Sequence, residues 1–191
     1  MAIAISETPV RLREVVLKDK PAEMIEASPK ATVPVLIDDG HVIDESLAVM
    51  RWALSKNDPE GWQFCLDQTL IAENDGPFKH HLDRYKYATR YDDADPEEHR
   101  KAGFAFLEQL EARLGKRAYL SGDTRGFCDI AIFPFVRQFR IADIDWFDKA
   151  PIPHLHKWLM GLMSSDLFST IMKKYPTWME SGEEFAFPEN S

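Results

Sequence analysis

Cysteine is scarce in this sequence of 191 residues, which contains only Cys65 and Cys128. Two cysteines so far apart cannot build a framework of disulfides, and they form no Cys-x-x-Cys motif. A reducing compartment is the simpler environment for such a chain, and we expect a cytoplasmic protein. The segment from Met1 to Ser6 is apolar, but it has no basic residue and no cleavage pattern, so we do not expect a signal peptide.

Long apolar runs and an excess of basic residues are also lacking. No stretch approaches the about 20 apolar residues that a transmembrane helix needs, and no membrane contact is expected. The 23 lysines and arginines are outnumbered by 32 aspartates and glutamates, which gives a net charge of −9 at pH 7. This balance argues against general binding to nucleic acid or to anionic membranes.

Metal-ligand patterns are weak in the sequence. Four of the six histidines form two groups, His80 with His81 and His154 with His156, and neither group has cysteine or aspartate partners at the spacing of a metal site. We therefore expect no metal site.

The pattern of apolar residues changes near residue 57. Before it, residues 10–17 and 33–37 are predicted to be strands, with a short helix at 21–27 between them. A hairpin signal at 38–41 is followed by a short third strand and by a helix that starts near Ser46. This order predicts an α/β domain spanning residues 1–56.

The rest of the chain is predicted to be almost entirely helical. A linker rich in turn-forming residues precedes a series of helices, and Gly76-Pro77 is expected to bend one of them. The residues after Pro176 form a tail whose aromatic side chains are expected to pack onto the helices. The second predicted domain is therefore all-helical and spans residues 62–191.

One segment carries the most specific motif. Residues 28–36 read Ser-Pro-Lys-Ala-Thr-Val-Pro-Val-Leu, and they are followed by Asp-Asp-Gly at 38–40 and by Asp44-Glu45-Ser46. This order resembles the N-terminal, thioredoxin-like domain of glutathione transferases. Leu17–Pro21 also resembles the omega-like, cysteine-type branch of that family. The resemblance implies an α/β thioredoxin-like domain followed by an all-α domain.

The resemblance also implies a glutathione site formed by Lys20, Val33, Pro34, Glu45 and Ser46. A proline inside a strand cannot donate a ladder hydrogen bond, and the family resolves this with a cis Val-Pro bond whose backbone pairs with the cysteinyl unit of glutathione. Free N–H groups and the positive end of a helix dipole near Ser46 favour the γ-glutamyl carboxylate. Glu45 would meet the α-ammonium group, and Lys20 the glycyl carboxylate.

A second, weaker resemblance lies in the helical part. Residues 127–134 resemble the Asp-Ile-Ala core helix of the family, with Gly126 at the position that usually holds a serine or threonine cap. Glycine removes the reciprocal side-chain bond of that cap. We interpret Asp129 as structural and Cys128 as a packing residue, and Cys65 does not lie where the family's active cysteine lies.

A helix that contains Arg84, Tyr85 and Tyr87 faces the acceptor-substrate cleft in the family. These three residues are candidates to line that cleft. The alternative is a solvated helix face with buried rings, and the sequence does not decide between the two.

The family's catalytic residue lies upstream of the matching segment. In the family, a cysteine, serine or tyrosine sits at the junction of a first strand and a first helix, and this chain begins inside that helix. No catalytic residue is therefore assigned, and residues 10–17 are expected to lack a neighbouring strand. Three explanations stay open. The first is that the natural protein is longer than this sequence. The second is that the gene product is truly short and its sheet is rearranged or completed by another chain. The third is that this chain is a diverged member of the family that has lost catalysis.

The predicted function is glutathione binding within a thioltransferase or conjugation lineage, with low or no turnover by this chain. The expected partners are glutathione, as a substrate, and an unknown electrophile or disulfide. The family implies a homodimer. The alternative hypothesis is a non-catalytic interaction or regulatory module with the same fold.

Overall fold

The computed structural model of the chain describes residues 1–64 and 67–189. The chain forms two compact units, the first made of Met1–Glu60 with Asp166–Ser191 and the second of Gly61–Ser165. The predicted helical domain, 62–191, included the C-terminal part. In the structure, Asp166–Ser191 instead belongs to the first unit.

Helices make up most of the described chain, with short strands in the first unit. The elements up to residue 56 are α1 (Ala2–Ser6), β1 (Val10–Leu12), α2 (Ala22–Ala27), β2 (Leu36–Asp38), β3 (His41–Ile43) and α3 (Ser46–Lys56). The elements of the second unit are a 3-10 turn (Trp62–Phe64), α4 (Gln68–Glu73), a π-helical turn (Asn74–Phe78), α5 (Lys79–Lys86), a 3-10 turn (Ala88–Arg90), α6 (Pro96–Leu114), α7 (Phe127–Ala142), α8 (Ile144–Lys149) and α9 (Pro153–Met163). The last elements are α10 (Asp166–Ile171), α11 (Trp178–Ser181) and β4 (Phe185–Phe187).

The pairing of β1 with β4 explains why the C-terminal part belongs to the first unit. The two strands are antiparallel, with Val10 opposite Phe187 and Leu12 opposite Phe185. The sequence analysis did not predict β4, and its expectation that residues 10–17 lack a neighbouring strand is corrected by it. A strand so short gives little local signal, since its stability comes from the pairing.

The aromatic tail packs against the start of the chain. The backbone N–H of Trp178 donates a 2.8 Å hydrogen bond to the carbonyl of Glu14, and the guanidinium of Arg13 lies 4.4 Å from the centre of the Trp178 ring. The tail was expected to pack onto the helices. Within the first unit, Trp178 instead contacts the residues that follow β1.

The hairpin between β2 and β3 follows the sequence signal. Its two central residues, Asp39 and Gly40, both have positive φ angles, of 48° and 81°. Such a turn matches the twist of the flanking strands and favours Asp-Gly. The predicted strand at 33–37 is shorter in the structure and begins at Leu36, because Pro34 has no N–H to donate.

In the first unit, α3 packs against α1. Val49, Ala53 and Leu54 lie on one face of α3 and are buried. The side chain of Asn57, just after α3, donates a 3.0 Å hydrogen bond to the carbonyl of Ser6, the last residue of α1. This packing fixes the direction of α3, whose first turn faces solvent at Glu45 and Ser46.

The second unit is a helical bundle with an aromatic core. The ring of Phe78 lies 4.8 Å from that of Phe106 and 5.6 Å from that of Phe139, between the centres. The bend predicted at Gly76-Pro77 is present as the π-helical turn Asn74–Phe78, since proline removes one helical hydrogen bond. No helix among the described residues has both the length and the apolar character that crossing a membrane requires.

Candidate functional site

The loop around Val33 presents unpaired backbone. The peptide bond between Val33 and Pro34 is cis, as predicted. The side chain of Val33 is 46% exposed. No backbone hydrogen bond among the described residues uses the N–H or C=O group of Val33. The loop can therefore pair with an extended peptide from outside.

The N-terminus of α3 presents a second set of free donors. Glu45 precedes the helix in an extended conformation, with φ −111° and ψ 131°, and its side chain makes no capping bond. The first helical bond runs from the N–H of Val49 to the carbonyl of Glu45. The N–H groups of Ser46, Leu47 and Ala48 thus have no partner within the helix, and they carry the positive end of its dipole.

A polar bridge joins the Val33 loop to the start of α3. The hydroxyl of buried Ser28 donates to Asp44 over 2.8 Å. The ammonium group of Lys30 donates to Asp44 over 3.1 Å and to Glu45 over 2.6 Å. These bonds hold one end of the loop against the residues that precede α3.

The pKa values of the bridge reflect these bonds. The hydrogen bond from Ser28, reinforced by Lys30, lowers the pKa of Asp44 below its usual range. Glu45, and then Asp44, raise the pKa of Lys30. Both shifts favour the charged forms of Asp44 and Lys30. The sequence analysis did not single out Lys30 as part of this bridge, although it lies inside the motif at 28–36.

The side chain of Lys20, which was expected to contact the glycyl carboxylate of glutathione, bonds to the protein's own backbone instead. Its ammonium group donates to the carbonyl of Leu17, which closes the turn that follows the β1 region. Leu17 lines a cavity of about 490 Å³ in the first unit, and Val33 and Pro34 line the same cavity. Lys20, Glu45 and Ser46 are not among the residues that line it. The predicted site thus combines a mostly apolar cavity with polar groups outside it.

Comparison with known protein families decides the assignment. A family model for the glutathione S-transferase N-terminal domain matches residues 1–61, and one for the glutathione S-transferase C-terminal domain matches residues 80–159. The chain belongs to the glutathione S-transferase superfamily. It has the superfamily's two-domain fold, with a small α/β domain and a helical domain.

Individual relatives are distant. The chain is 26% identical over 185 residues to the probable glutathione S-transferase parA of Nicotiana tabacum, a match that covers 88% of this chain and 80% of that protein. Among solved structures, the bacterial glutathione S-transferase BphK in its ternary complex has a TM-score of 0.70 at 19% identity, covering 88% of both chains. Glutathione S-transferase-I bound with lactoylglutathione has a TM-score of 0.64 at 22% identity, covering 79% of this chain and 78% of that one. These structural likenesses concern the fold.

The residues expected at the superfamily's acceptor cleft lie on α5 and just after it. The ring of Tyr85 packs on Phe139 at 4.9 Å between the centres, and burial raises the pKa of its hydroxyl. Tyr87 is covered by the guanidinium of Arg90, 4.1 Å from the centre of its ring. Tyr85 thus contributes to packing in the helical unit, and a role for any of the three in substrate binding stays a prediction.

Arg84, the third of these residues, makes two contacts in the helical unit. Its guanidinium lies 4.4 Å from the centre of the Tyr91 ring and 3.0 Å from Nδ1 of His80. Arg84 is therefore held by its neighbours on both sides.

Asp129 has a structural environment, as interpreted from the sequence. Its carboxylate accepts hydrogen bonds from the N–H groups of Leu120, Ser121 and Gly126 and from the indole of Trp158, at 2.8–3.0 Å. The bond from Gly126 is one half of the superfamily's cap. Glycine cannot supply the other half, because it has no side chain.

The environment of Cys128 shows no sign of a reactive thiol. Cys128 is fully buried, and this burial raises the pKa of its thiol, which disfavours the reactive thiolate. Cys65 lies outside the described residues. The packing role predicted for Cys128 agrees with its burial.

Proposed function

We propose that this chain binds glutathione at the Val33 loop and the N-terminus of α3. The observation that carries the proposal is the bridge from Ser28 and Lys30 to Asp44 and Glu45, which holds the exposed loop and the free helix donors within one unit. Family membership supports a glutathione ligand, and a solved structure of the same fold holds lactoylglutathione.

Each predicted residue has a specific part in this proposal. The free N–H and C=O groups of Val33, beside Pro34, pair with the cysteinyl unit of the ligand. The hydroxyl of Ser46 and the helix donors behind it take the γ-glutamyl carboxylate, while Glu45 takes the α-ammonium group. Lys20 takes the glycyl carboxylate, which requires it to leave the carbonyl of Leu17.

We further propose that this chain shows little or no turnover. Residues 1–60 contain no cysteine and no tyrosine. Ser6 is buried and donates its hydroxyl hydrogen bond to the carbonyl of Ile3 over 3.0 Å, which leaves it unsuited to act as a nucleophile. The proposed lineage of this chain is the omega-like, cysteine-type branch of the superfamily, which acts on disulfides or electrophiles. We also propose that the protein is cytoplasmic and forms a homodimer. Sedimentation equilibrium tests the homodimer.

Calorimetric titration with glutathione tests the binding proposal. The variant Ser46→Ala should weaken binding about tenfold, because it removes a hydrogen bond to a charged ligand group. Ser55→Ala is the matched control, since Ser55 is an exposed serine at the far end of α3 that bonds to the carbonyl of Trp52. Equal effects of the two variants, or no binding by the parent chain, would refute the proposed site.

A thioltransferase assay on the same preparations tests turnover separately. The expected rate lies at the level of the uncatalysed reaction even when the glutathione site is saturated. Rapid turnover by this chain would contradict the second part of the proposal and leave the binding site standing. Saturable glutathione binding without turnover is the result that both parts require.

A further inference from the structure

Three histidines of the helical unit come together: His80 and His81 from α5, and His99 from α6. One ring nitrogen of each lies within 4.8 Å of the other two. The ring centres are 5.1 Å apart for His80 and His81, 5.7 Å for His80 and His99, and 5.1 Å for His81 and His99. The sequence analysis expected no metal site, because spacing along the chain does not reveal a ligand contributed by the next helix.

We propose that His80, His81 and His99 bind a divalent late transition-metal ion, with Zn²⁺ as the representative case. Imidazole nitrogen suits zinc, copper and nickel. A tetrahedral ion with metal–nitrogen bonds of about 2.0–2.1 Å places the centres of two imidazole ligands about 5 Å apart, which is close to the present separations. Three imidazoles and one water complete such a site, and the exposed side chain of His80 gives water access to it.

The contact between His81 and His99 shows that at least one of the two rings has an unprotonated Nδ1. Their Nδ1 atoms lie 2.8 Å apart, so one nitrogen must carry a hydrogen and the other must accept it. At least one of the two rings is therefore neutral, as a metal ligand must be. Two ligand nitrogens on a tetrahedral ion are about 3.3 Å apart. Binding therefore requires the His81 and His99 nitrogens to separate slightly from 2.8 Å and the nitrogen of His80, now within 4.8 Å of them, to close in.

The packing of α5 against α6 positions these rings. Consecutive helical residues point about 100° apart, so His80 and His81 alone cannot enclose an ion. His99 approaches both because Gly103, one turn later on α6, allows close packing. A β-carbon at Gly103 would lie 3.6 Å from Cβ of His81 and 2.7 Å from Cε2 of Phe139.

Arg84 opposes metal binding in the present arrangement. Its guanidinium lies 3.0 Å from Nδ1 of His80, and arginine can only donate, so it occupies the lone pair of that nitrogen. The positive charge also repels a cation. Lys79, which precedes His80 in the chain, is paired with Asp83 over 3.2 Å. An ion must therefore displace Arg84 from His80, and a variant without Arg84 should bind the ion more tightly.

The test uses tag-free, metal-stripped protein of full length. Calorimetric titration with Zn²⁺ should show one ion per chain, and Co²⁺ should give the visible absorption of a tetrahedral complex. His80→Ala and His99→Ala should each weaken binding at least about tenfold. His41→Ala is the control, because His41 is an exposed histidine in the hairpin of the first unit. It should leave the metal affinity unchanged.

The variant Arg84→Ala adds a test in which the metal affinity is expected to rise. Arg84→Ala should tighten Zn²⁺ binding several-fold, which a residue with a merely structural role would not do. His80 is exposed, so His80→Ala should fold normally, and circular dichroism verifies this for every variant. The proposal is overturned if the parent chain takes up no Zn²⁺, if His80→Ala or His99→Ala binds like the parent, or if Arg84→Ala weakens binding. None of these results depends on glutathione binding.

Discussion

The ammonium group of Lys30 lies 2.6 Å from a carboxylate oxygen of Glu45, the residue that immediately precedes α3. In the proposed complex this carboxylate receives the α-ammonium group of glutathione. Lys30 thus occupies the position that the ligand's own cation would take. Both side chains are largely exposed, so the pair can open at low cost.

Replacement of Lys30 by glutamine should therefore tighten glutathione binding about two- to fivefold, because the ligand no longer competes with an internal cation for Glu45. Calorimetric titration measures the change. Lys18→Gln, at an exposed lysine of the same unit, is the control for the loss of one positive charge. Weaker binding by the Lys30 variant would show instead that Lys30 supports the site, either by holding the Val33 loop against α3 or by contacting a carboxylate of the ligand.

Asp129→Asn should destabilise the helical unit by roughly 3 kcal/mol, because an amide cannot accept all four hydrogen bonds that the buried carboxylate accepts. Urea unfolding followed by tryptophan fluorescence measures the loss. The exposed Asp123 offers the control Asp123→Asn, which should change stability by less than about 0.5 kcal/mol. Similar losses in the two variants would rule out the structural role of Asp129.

The ion pair between Asp67 and Arg113 should make the stability of the helical unit sensitive to acid. It accepts a hydrogen bond from Arg113 over 2.7 Å and caps α4 through the N–H of Leu70. Arg113, and then the N–H of Leu70, lower the pKa of Asp67 below its ordinary 3.8. A lowered folded-state pKa contributes stability that is fully present above the unfolded-state pKa and is lost as pH falls through the folded value.

Asp67→Ala should consequently cost about 1–2 kcal/mol at pH 7, and the difference from the parent should shrink below about pH 4. Unfolding in urea at pH 7, 5 and 3 tests this. Asp67→Asn keeps a capping oxygen and should lose less stability, with a weaker dependence on pH. A gap between parent and Asp67→Ala that stays constant down to pH 3 would contradict the assignment.

Gly103→Ala should destabilise the chain by about 1–2 kcal/mol, because the added β-carbon would lie 2.7 Å from the ring of fully buried Phe139. Gly161→Ala in α9 is the matched control, since a β-carbon there meets no atom within 4 Å. It should stabilise α9 by up to about 1 kcal/mol through helix propensity alone. Thermal unfolding of the two variants should therefore shift in opposite directions.

Much of the fold follows from local sequence signals. The hairpin at Asp39-Gly40 formed because both positions adopt positive φ, and the bend at Gly76-Pro77 formed because proline lacks an N–H group. The helix opened by Ser46 was also predicted. In these cases a few adjacent residues carry the physical cause, so the pattern can be interpreted without knowledge of the rest of the chain. The cis bond at Val33-Pro34 was implied by the family resemblance.

The sequence by itself determined the superfamily, the hairpin and the helix that starts at Ser46, and through the family resemblance it suggested the residues of the proposed glutathione site. Tertiary structure alone decided that β4 pairs with β1, that Lys30 neutralises Glu45, and that His99 meets His80 and His81. The physical reason is the same for all three. Each depends on groups from separate segments, and the packing of the folded chain, not the local propensity of either segment, brings such groups together.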